Sequence, residues 1–304
     1  MSMFSRKNKK IFALTMMMMP GFIWLLLIRY LPMFGIVMSF QDYTINYRNP
    51  SLLSNILNSP FNGLNNFRFV FQSDRALVMI RNTLGYNALW IVLTMVVAVA
   101  FAVMLSEITR PLLARIYQTL MFFPYFISWV VVAYFVYAFL APTYGLLSDM
   151  SNWYFNPDGW PVILTLATLW KTVGYSCILY LAAITGIDRG LYEAASIDGA
   201  TKWQQVWAIT IPSIRPMIII LFIMAVGRIF NADFGLFYTV TRDSGPLYDV
   251  TTVIDTYVYH AMLGSATELG MSTAAGFLQN LVGFFCIMTA NTIVSKIDNE
   301  SSLF

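Results

Sequence analysis

The polar side chains that could do chemistry in this chain gather in one stretch, EAASIDGATKWQQVWAITIP, at residues 193–212. It holds acidic, basic and amide side chains, while long blocks of Leu, Ile, Val, Met and Phe surround it. An enzyme site would need a cluster of nucleophile, base or metal ligands, and the sole histidine, His260, stands alone elsewhere. We therefore expect neither a catalytic nor a metal site in the chain.

The first half of the stretch has the signals of a short helix. Asp188 can cap a helix that begins at Arg189, and Gly199 suits its end because a left-handed residue there is cheap only for glycine. The small Ala194 and Ala195 follow one acidic residue, and small side chains let the cleft of another protein close around a helix. On these residues alone, an amphipathic connector at the membrane surface and a docking element both remain open.

The second half predicts another helix. Thr201 begins it, and Gln204 three residues later completes a capping-box pattern. Trp203 and Trp207 share one face, so we expect this helix to lie across the membrane surface. Pro212 is expected to end it.

Composition determines what surrounds this stretch. Hydrophobic residues make up 58% of the chain and charged residues 11%, against about 25% charged in soluble domains. This composition predicts an all-α polytopic membrane protein, and the 304 residues leave room for about six spans of roughly 20 residues. Continuous apolar runs, without alternation at every second residue, exclude a barrel. We predict one transmembrane domain over residues 1–304, with spans at residues 11–39, 82–105, 116–140, 162–185, 213–237 and 274–295 and a polar loop at 186–212.

The distribution of Lys and Arg sets the expected orientation. With the N-terminus inside, the cytoplasmic side would hold Arg6, Lys7, Lys9, Lys10, Arg110, Arg115, Arg189, Lys202, Arg215 and Lys296. The outer loops would hold Arg48, Arg68, Arg75 and Arg242, with Arg81 at a boundary. The positive-inside rule therefore places both termini in the cytoplasm. No small-x-small cleavage site follows the first apolar run, so we expect an uncleaved first span.

Charged side chains inside spans are costly, which makes Lys171 in span four and Arg228 in span five candidates for solute contact. Helix-to-helix ties and snorkelling to lipid headgroups are the alternatives. Gly227, Arg228, Asn231 and Gly235 would form a small and polar stripe at helical spacing on span five. If both cations face a solute path, an acidic solute is favoured.

Aromatic residues interleave with these polar positions. Aromatic faces and hydrogen-bonding side chains together suit sugars, whose rings offer C–H faces and many hydroxyls. With 16% aromatic residues in the chain, however, aromatic neighbours arise almost anywhere. The expected solute path comprises Tyr125, Trp129, Lys171, Tyr175, Arg228, Phe230, Asn231 and Phe234.

The polar loop also carries a motif. Its pattern is E-A-A, three residues, G, nine residues, I-x-x-P, supplied by Glu193, Ala194, Ala195, Gly199, Ile209 and Pro212. This resembles the EAA loop of permease subunits from binding-protein-dependent ABC importers, although Ile211 replaces the leucine that this family favours. The segments 63–73, 81–83 and 253–259 resemble the maltose-type permeases that import oligosaccharides, so the resemblance covers nearly the whole chain.

The resemblance implies a type I ABC importer permease fold in a bacterial cytoplasmic membrane, inner or plasma. The helix 189–198 would be the coupling helix that sits in a groove of a cytoplasmic ATPase, and Gly199 would permit the turn after it. The residues assigned to coupling are Glu193, Ala194, Ala195, Asp198, Gly199, Ile209 and Pro212. The implied partners are a second homologous permease, two ATPase subunits and an extracytoplasmic solute-binding protein. The chain has no G-x-x-x-x-G-K-[ST] loop, so ATP and Mg would bind to the ATPases.

The favoured function is therefore the transmembrane subunit of an ATP-driven oligosaccharide importer. A permease for a non-sugar solute, such as an amino acid, a peptide or phosphate, shares the coupling loop and is the alternative. A secondary transporter is less favoured, because neither two similar halves nor broken helices at matching positions are visible in the sequence.

Overall fold

The computed structural model describes residues 2–44, 51–68, 76–147, 152–264 and 268–297. Nearly all of these residues are helical, and the extended pairing among them is one isolated antiparallel bridge between Gln41 and Phe61. The prediction of an all-α chain is confirmed. Residues 69–73 of the segment 63–73, and the predicted outer-loop residues Arg48 and Arg75, lie outside the described residues.

The α-helices carry the architecture of these ranges. They are α1 (Ser2–Leu25), α2 (Leu52–Asn58), α3 (Ala76–Ser106), α4 (Pro111–Phe126), α5 (Trp129–Leu140), α6 (Trp160–Thr185), α7 (Arg189–Ile197), α8 (Lys202–Gln205), α9 (Ile211–Val226), α10 (Tyr248–Thr251), α11 (Ile254–Gly264) and α12 (Glu268–Ile297). A π-helical turn and a 3-10 segment continue α1 to Phe40, and a π-helical turn joins α8 to α9. Another π-helical turn, Gly235–Val240, stands between α9 and α10.

The number of membrane crossings agrees with the prediction. Within the described ranges, the helices long and apolar enough to cross a membrane are Lys9–Phe40, Ala76–Ser106, Trp160–Thr185, Lys202–Val226 and Leu269–Lys296. The pair α4 and α5 makes a sixth crossing if it counts as one span, although the two helices are bent by 97°.

The predicted third span, residues 116–140, is broken into two helices. Pro124 lies inside α4, and the chain leaves the helical conformation at Ile127 and Ser128. The Ser128 hydroxyl then caps α5 by accepting a hydrogen bond from the Val131 amide at 3.4 Å. Because Pro124 has no N–H to donate, it weakens the last turn of α4, and the capping serine begins a helix in a new direction.

The predicted fifth span, residues 213–237, is displaced toward the N-terminus. The continuous helix is Lys202–Val226, and residues 227–233 form turns and irregular backbone. The expected helical stripe through Arg228 and Asn231 is therefore wrong, because these residues lie in an interruption of the span. Broken helices are thus present in the third and fifth spans, although the sequence showed none at matching positions of two halves.

Pro212 does not end the second helix of the polar stretch, which corrects that expectation. The π-helical turn Val206–Thr210 precedes it, and the proline lies in the first turn of α9. Proline has no N–H for the usual helical bond, and the π-helical turn just before it, where the Ile211 amide bonds to the Val206 carbonyl, lets the helix continue through this position. The second helix is therefore the beginning of the fifth span, with Trp203 and Trp207 exposed near its start.

Close contacts group the chain into two compact units. The first comprises Met1–Ser73 and Val258–Leu278, and the second comprises Asp74–Tyr257 and Gln279–Phe304. In the first unit, the Asn66 amide donates to the carbonyls of Ser39 at 3.0 Å and Gln41 at 2.8 Å. These bonds fix the chain just beyond the first span. A single domain over residues 1–304 stays a prediction.

The second unit contains two apolar cores that share α3 and α6. The first core packs α5 and the turn Gly235–Val240 against those helices, and its most buried members include Trp160, Leu164, Leu236 and Phe237. The second core adds α9, and its members include Ala98, Ala102, Cys177 and Ile214. The two broken spans therefore pass from one core to the other at their interruptions.

Two of the segments that carry the resemblance meet in the second unit. The Asn82 amide donates to the Thr252 carbonyl at 3.0 Å, and the Ile254 amide donates to the Thr83 hydroxyl at 3.1 Å. The Tyr86 hydroxyl adds a bond to the Val250 carbonyl at 2.9 Å. Residues 81–83 thus fix the chain that follows the fifth span.

Candidate functional site

Helix α7 forms an exposed surface. None of its residues is buried, and Ile197 and Leu191 are 87% and 50% exposed. The side chains of Glu193 and Asp198 are exposed as well. A short helix that shows apolar and acidic side chains together is suited to docking into a groove of another protein.

Local hydrogen bonds define the two ends of this helix as predicted. The Asp188 carboxylate accepts from the Gly190 amide at 3.0 Å. Gly199 has a φ of +80°, the left-handed conformation that its position was expected to need. Thr201 and Gln204 form both bonds of the capping box at the start of α8.

Two longer contacts tie α7 to the start of the fifth span. The hydroxyls of Tyr192 and Thr210 lie 2.9 Å apart, and Gln205 Nε2 donates to Ser196 Oγ at 2.9 Å. Gln205 is only 3% exposed. Helix α7 is therefore bonded directly to the helix Lys202–Val226.

Sequence reasoning missed this pair of contacts. Tyr192 and Thr210 are separated by 18 residues, and Gln205 had the appearance of an ordinary polar surface residue. The burial of a glutamine next to two exposed tryptophans becomes visible only in three dimensions. Of the other predicted coupling residues, Ala195 and Ile209 are half-buried, whereas Ala194 and Pro212 are exposed.

A second group of functional side chains surrounds the break in the third span. Lys171 Nζ, from the uninterrupted helix α6, donates to the carbonyls of Tyr125 at 3.1 Å, Pro124 at 3.5 Å and Ile127. The ammonium also lies 5.3 Å from the centre of the Trp129 ring. Its charge is therefore directed to backbone oxygens at the break in the third span.

The interruption of the fifth span is also supported by side chains from other helices. The Asn87 amide, on α3, donates to the carbonyls of Ile229 at 2.8 Å and Asn231 at 3.1 Å. Gln279, on α12, donates to the Phe230 carbonyl at 2.9 Å. These bonds supply partners for backbone groups that have left the helix.

Asp255 completes this support at the start of α11. Its carboxylate accepts from the Ala232 amide at 2.8 Å and from Gln279 Nε2 at 3.0 Å. Burial raises the pKa of the Asp255 carboxyl, and these two hydrogen bonds oppose the rise. The sequence signal for these residues was the presence of polar amides inside apolar spans, which marks interhelical bonds or a polar path.

A cavity of about 290 Å³ lies between α3, α6 and α9. Its wall mixes aromatic rings with hydroxyl and amide groups, and the polar and tyrosine members are Asn87, Thr94, Thr168, Thr172, Tyr175, Ser176 and Tyr180. The buried Thr168 hydroxyl has no hydrogen-bond partner among the described residues. Such a wall offers hydrogen bonds and flat apolar faces to a polyhydroxylated solute.

Three aromatic rings extend from this cavity toward the broken third span. Tyr125 and Tyr175 stack with centres 4.6 Å apart and planes at 13°, and Phe122 lies parallel to Tyr125 at 5.8 Å. Tyr125 and Tyr175 are 42% and 40% exposed. They present a flat aromatic surface, which is suited to the C–H face of a sugar ring.

The structure brings together Tyr125, Trp129, Lys171 and Tyr175. The backbone carbonyls of Phe230 and Asn231 accept hydrogen bonds from other helices. The Phe234 ring stacks on Tyr238 with centres 4.8 Å apart. Arg228 is exposed within the interruption of the fifth span. The predicted residues therefore fall on the two interrupted spans and the helix between them, and their contact with a solute stays a prediction.

Comparison with known proteins adds independent findings. Residues 91–296 match the family model described as "Binding-protein-dependent transport system inner membrane component". The chain is 34% identical over 295 residues to the polygalacturonan/rhamnogalacturonan transport system permease protein YteP of Bacillus subtilis (strain 168), covering 94% of this chain and 89% of that protein.

Solved structures give the same result. A crystal structure of a bacterial ABC transporter involved in the import of the acidic polysaccharide alginate contains a similar chain, with a TM-score of 0.83 and 29% identity over 97% of this chain and 99% of that one. The bacterial alginate ABC transporter in complex with an alginate pentasaccharide-bound periplasmic protein matches with a TM-score of 0.83 and 30% identity, covering 96% and 97% of the two chains.

Proposed function

This chain belongs to the family of binding-protein-dependent transport system inner membrane components, and we propose that it is the transmembrane subunit of an ATP-driven importer that takes up an oligosaccharide. Its fold is that of a type I ABC importer permease. The observation that carries the proposal is α7, an exposed helix tied by Tyr192 and Gln205 to the fifth span.

Coupling follows from that geometry. When partner ATPases bind ATP and close, α7 moves with the groove that holds it. Tyr192 and Gln205 pass this movement to the helix Lys202–Val226, which tilts the fifth span. Glu193 and Asp198 supply the exposed charges of the docking surface.

The remaining components are proposed from the relatives and from the chain's own composition. A second permease completes the path, two ATPase subunits bind ATP and Mg, and an extracytoplasmic binding protein delivers the solute. Such a binding protein accompanies the alginate transporter. The positive-inside distribution of Lys and Arg supports cytoplasmic termini and a cytoplasmic α7.

An oligosaccharide cargo is supported by two lines of evidence. The cargoes named for the two transporters described above are saccharides, a polygalacturonan or rhamnogalacturonan for YteP and alginate for the solved transporter. The chain itself offers the stacked Tyr125 and Tyr175 and the adjoining hydroxyl-lined cavity. We assign the solute path to these features together with Trp129, Arg228, Phe230, Asn231 and Phe234.

The test uses the complete transporter, purified with its partner permease, ATPases and binding protein. ATP hydrolysis is measured with the binding protein loaded with uronate-containing or neutral oligosaccharides, or with an amino acid, a peptide or phosphate. We expect stimulation by an oligosaccharide. Stimulation by a non-sugar solute alone would refute the proposal that the cargo is an oligosaccharide.

A second measurement tests coupling separately. Glu193→Lys should remove stimulated hydrolysis and uptake while the chain remains inserted, because it reverses a charge on the docking helix. Asp158→Lys, which makes the same reversal from a negative to a positive charge at an exposed residue just before α6, serves as the control. Unimpaired uptake by Glu193→Lys would contradict the assignment of α7.

A further inference from the structure

The break in the third span exposes carbonyl groups that need partners. The last carbonyls of any helix have no intrahelical donors, and the hydrocarbon region supplies no water to replace them. Here the Lys171 ammonium donates to the carbonyls of Pro124, Tyr125 and Ile127. One side chain from a continuous helix thus satisfies the carbonyl end of α4.

The same ammonium is connected to the interruption of the fifth span. Trp129, the first residue of α5, lies with its ring 5.3 Å from Lys171 Nζ. Its indole Nε1–H donates to Asp233 Oδ2 at 2.5 Å. The other oxygen of Asp233 accepts from the Gly235 amide at 3.0 Å, where the π-helical turn begins.

The packing at this point leaves little room for movement. A Cβ added to Gly235 would lie 2.6 Å from the Trp129 ring, so the backbone of the fifth span rests directly on the indole. The charged ends of the tie are Lys171, whose ammonium lies near the indole ring, and Asp233, which accepts from the indole N–H.

We propose that Lys171, Trp129 and Asp233 form one interhelical tie that holds the two interrupted spans together, and that Lys171 is a positioning residue for the aromatic surface of Tyr125 and Tyr175. By binding the Tyr125 carbonyl, the ammonium fixes the backbone that carries the Tyr125 ring against Tyr175. Lys171 therefore acts on the solute through these rings and is not itself a solute ligand. The link to solute rests on the proposed function, whereas the tie does not.

The decisive variants replace the ammonium group of Lys171 and keep a side chain of similar length. Lys171→Met removes the ammonium, Lys171→Arg keeps a cation that can donate to several carbonyls, and Lys10→Met is the control for loss of one positive charge. In the complete transporter, the maximal stimulated rate of ATP hydrolysis and the half-saturating concentration of loaded binding protein are measured. Tetrasaccharides of a uronic acid and of glucose are the probes, each with a binding protein that accepts it.

For Lys171→Met we expect the maximal stimulated rate to fall about tenfold or more, the loss that corresponds to one charge-assisted hydrogen bond. The loss should be equal for the acidic and neutral probes, with the half-saturating concentration unchanged and with partial recovery in Lys171→Arg. A loss confined to the acidic probe would identify Lys171 as a ligand and overturn the proposal. An unchanged rate would overturn it as well.

A double-mutant cycle tests the tie without any cargo. Trp129→Phe keeps an aromatic ring but loses the N–H, and Asp233→Leu removes the acceptor, while Asp233→Asn retains an oxygen that can accept. Thermal unfolding of the purified complex should show that Trp129→Phe and Asp233→Leu are not additive, with Asp233→Asn milder than Asp233→Leu. Additive shifts in Tm would refute the tie. If no oligosaccharide stimulates the wild-type transporter, the proposed function fails while this cycle still decides the tie.

Discussion

The close approach of α4 and α6 at Gly174 provides a quantitative test of the packing around the proposed solute path. A Cβ built on Gly174 would lie 1.7 Å from the Met121 carbonyl oxygen and 2.4 Å from its carbonyl carbon. Ordinary contact begins at 3.4 Å, so the two backbones must separate by about 1.7 Å (3.4 minus 1.7) to accept Gly174→Ala. Because the obstacle is backbone, no rotamer change can relieve it.

We expect Gly174→Ala to destabilise the protein by about 3 kcal/mol, the upper part of the usual range for overpacking. Gly85→Ala is the matched control, because Gly85 lies in α3 with nothing within 4 Å of an added Cβ. The free energy of unfolding of that control should rise by up to about 1 kcal/mol, because alanine has a higher helix propensity than glycine. The difference of about 4 kcal/mol corresponds to roughly 8–16 °C in Tm.

The assay is thermal unfolding of the purified complex, with stimulated ATP hydrolysis measured in parallel. Separation of α4 from α6 also pulls the Tyr125 carbonyl away from Lys171, which lies one turn before Gly174 on the same helix. Gly174→Ala should therefore lose stimulated hydrolysis as well as stability. Equal Tm values for the two alanine variants would refute the backbone contact on which this reasoning depends.

Three further predictions concern other parts of the molecule. Gly63→Ala should lower the free energy of unfolding by about 1–2 kcal/mol, because Gly63 has a φ of +61°. Gly35→Ala, which also has open space around it, should leave stability nearly unchanged. Thermal unfolding compares the two variants. Burial raises the pKa of Asp255, so the folded state holds the carboxyl proton of this residue more tightly than the unfolded state does. The free energy of unfolding should therefore fall as pH rises above the ordinary carboxyl pKa. Asp255→Asn, whose oxygen can still accept, should flatten that dependence, and an unchanged pH profile would contradict it. Glu107→Gln should change stability by less than about 1 kcal/mol, since its 3.0 Å bridge to Lys202 is exposed; a larger loss in chemical denaturation would show that the bridge is structural.

Local sequence signals determined helix α7 almost completely. Asp188, Gly199 and the Thr201–Gln204 capping box act within a few residues of where they stand, so their conformations follow from neighbours along the chain. Composition likewise determined the class of protein and the number of spans, because burial in a bilayer depends on the summed hydrophobicity of about 20 residues. The spacing of the EAA motif was enough to predict the family.

The extent of the interruptions in the third and fifth spans was decided by the tertiary structure. Pro124 by itself predicts a kink in the third span. An apolar segment has the same hydropathy whether or not its helix is broken, so neither the 97° size of that bend nor the end of α9 at Val226 could be predicted from the sequence. A broken span is stable only where another helix supplies donors for the released carbonyls, as Lys171 and Asn87 do here. Which side chains come within reach depends on how the helices pack, and that is a property of the folded bundle.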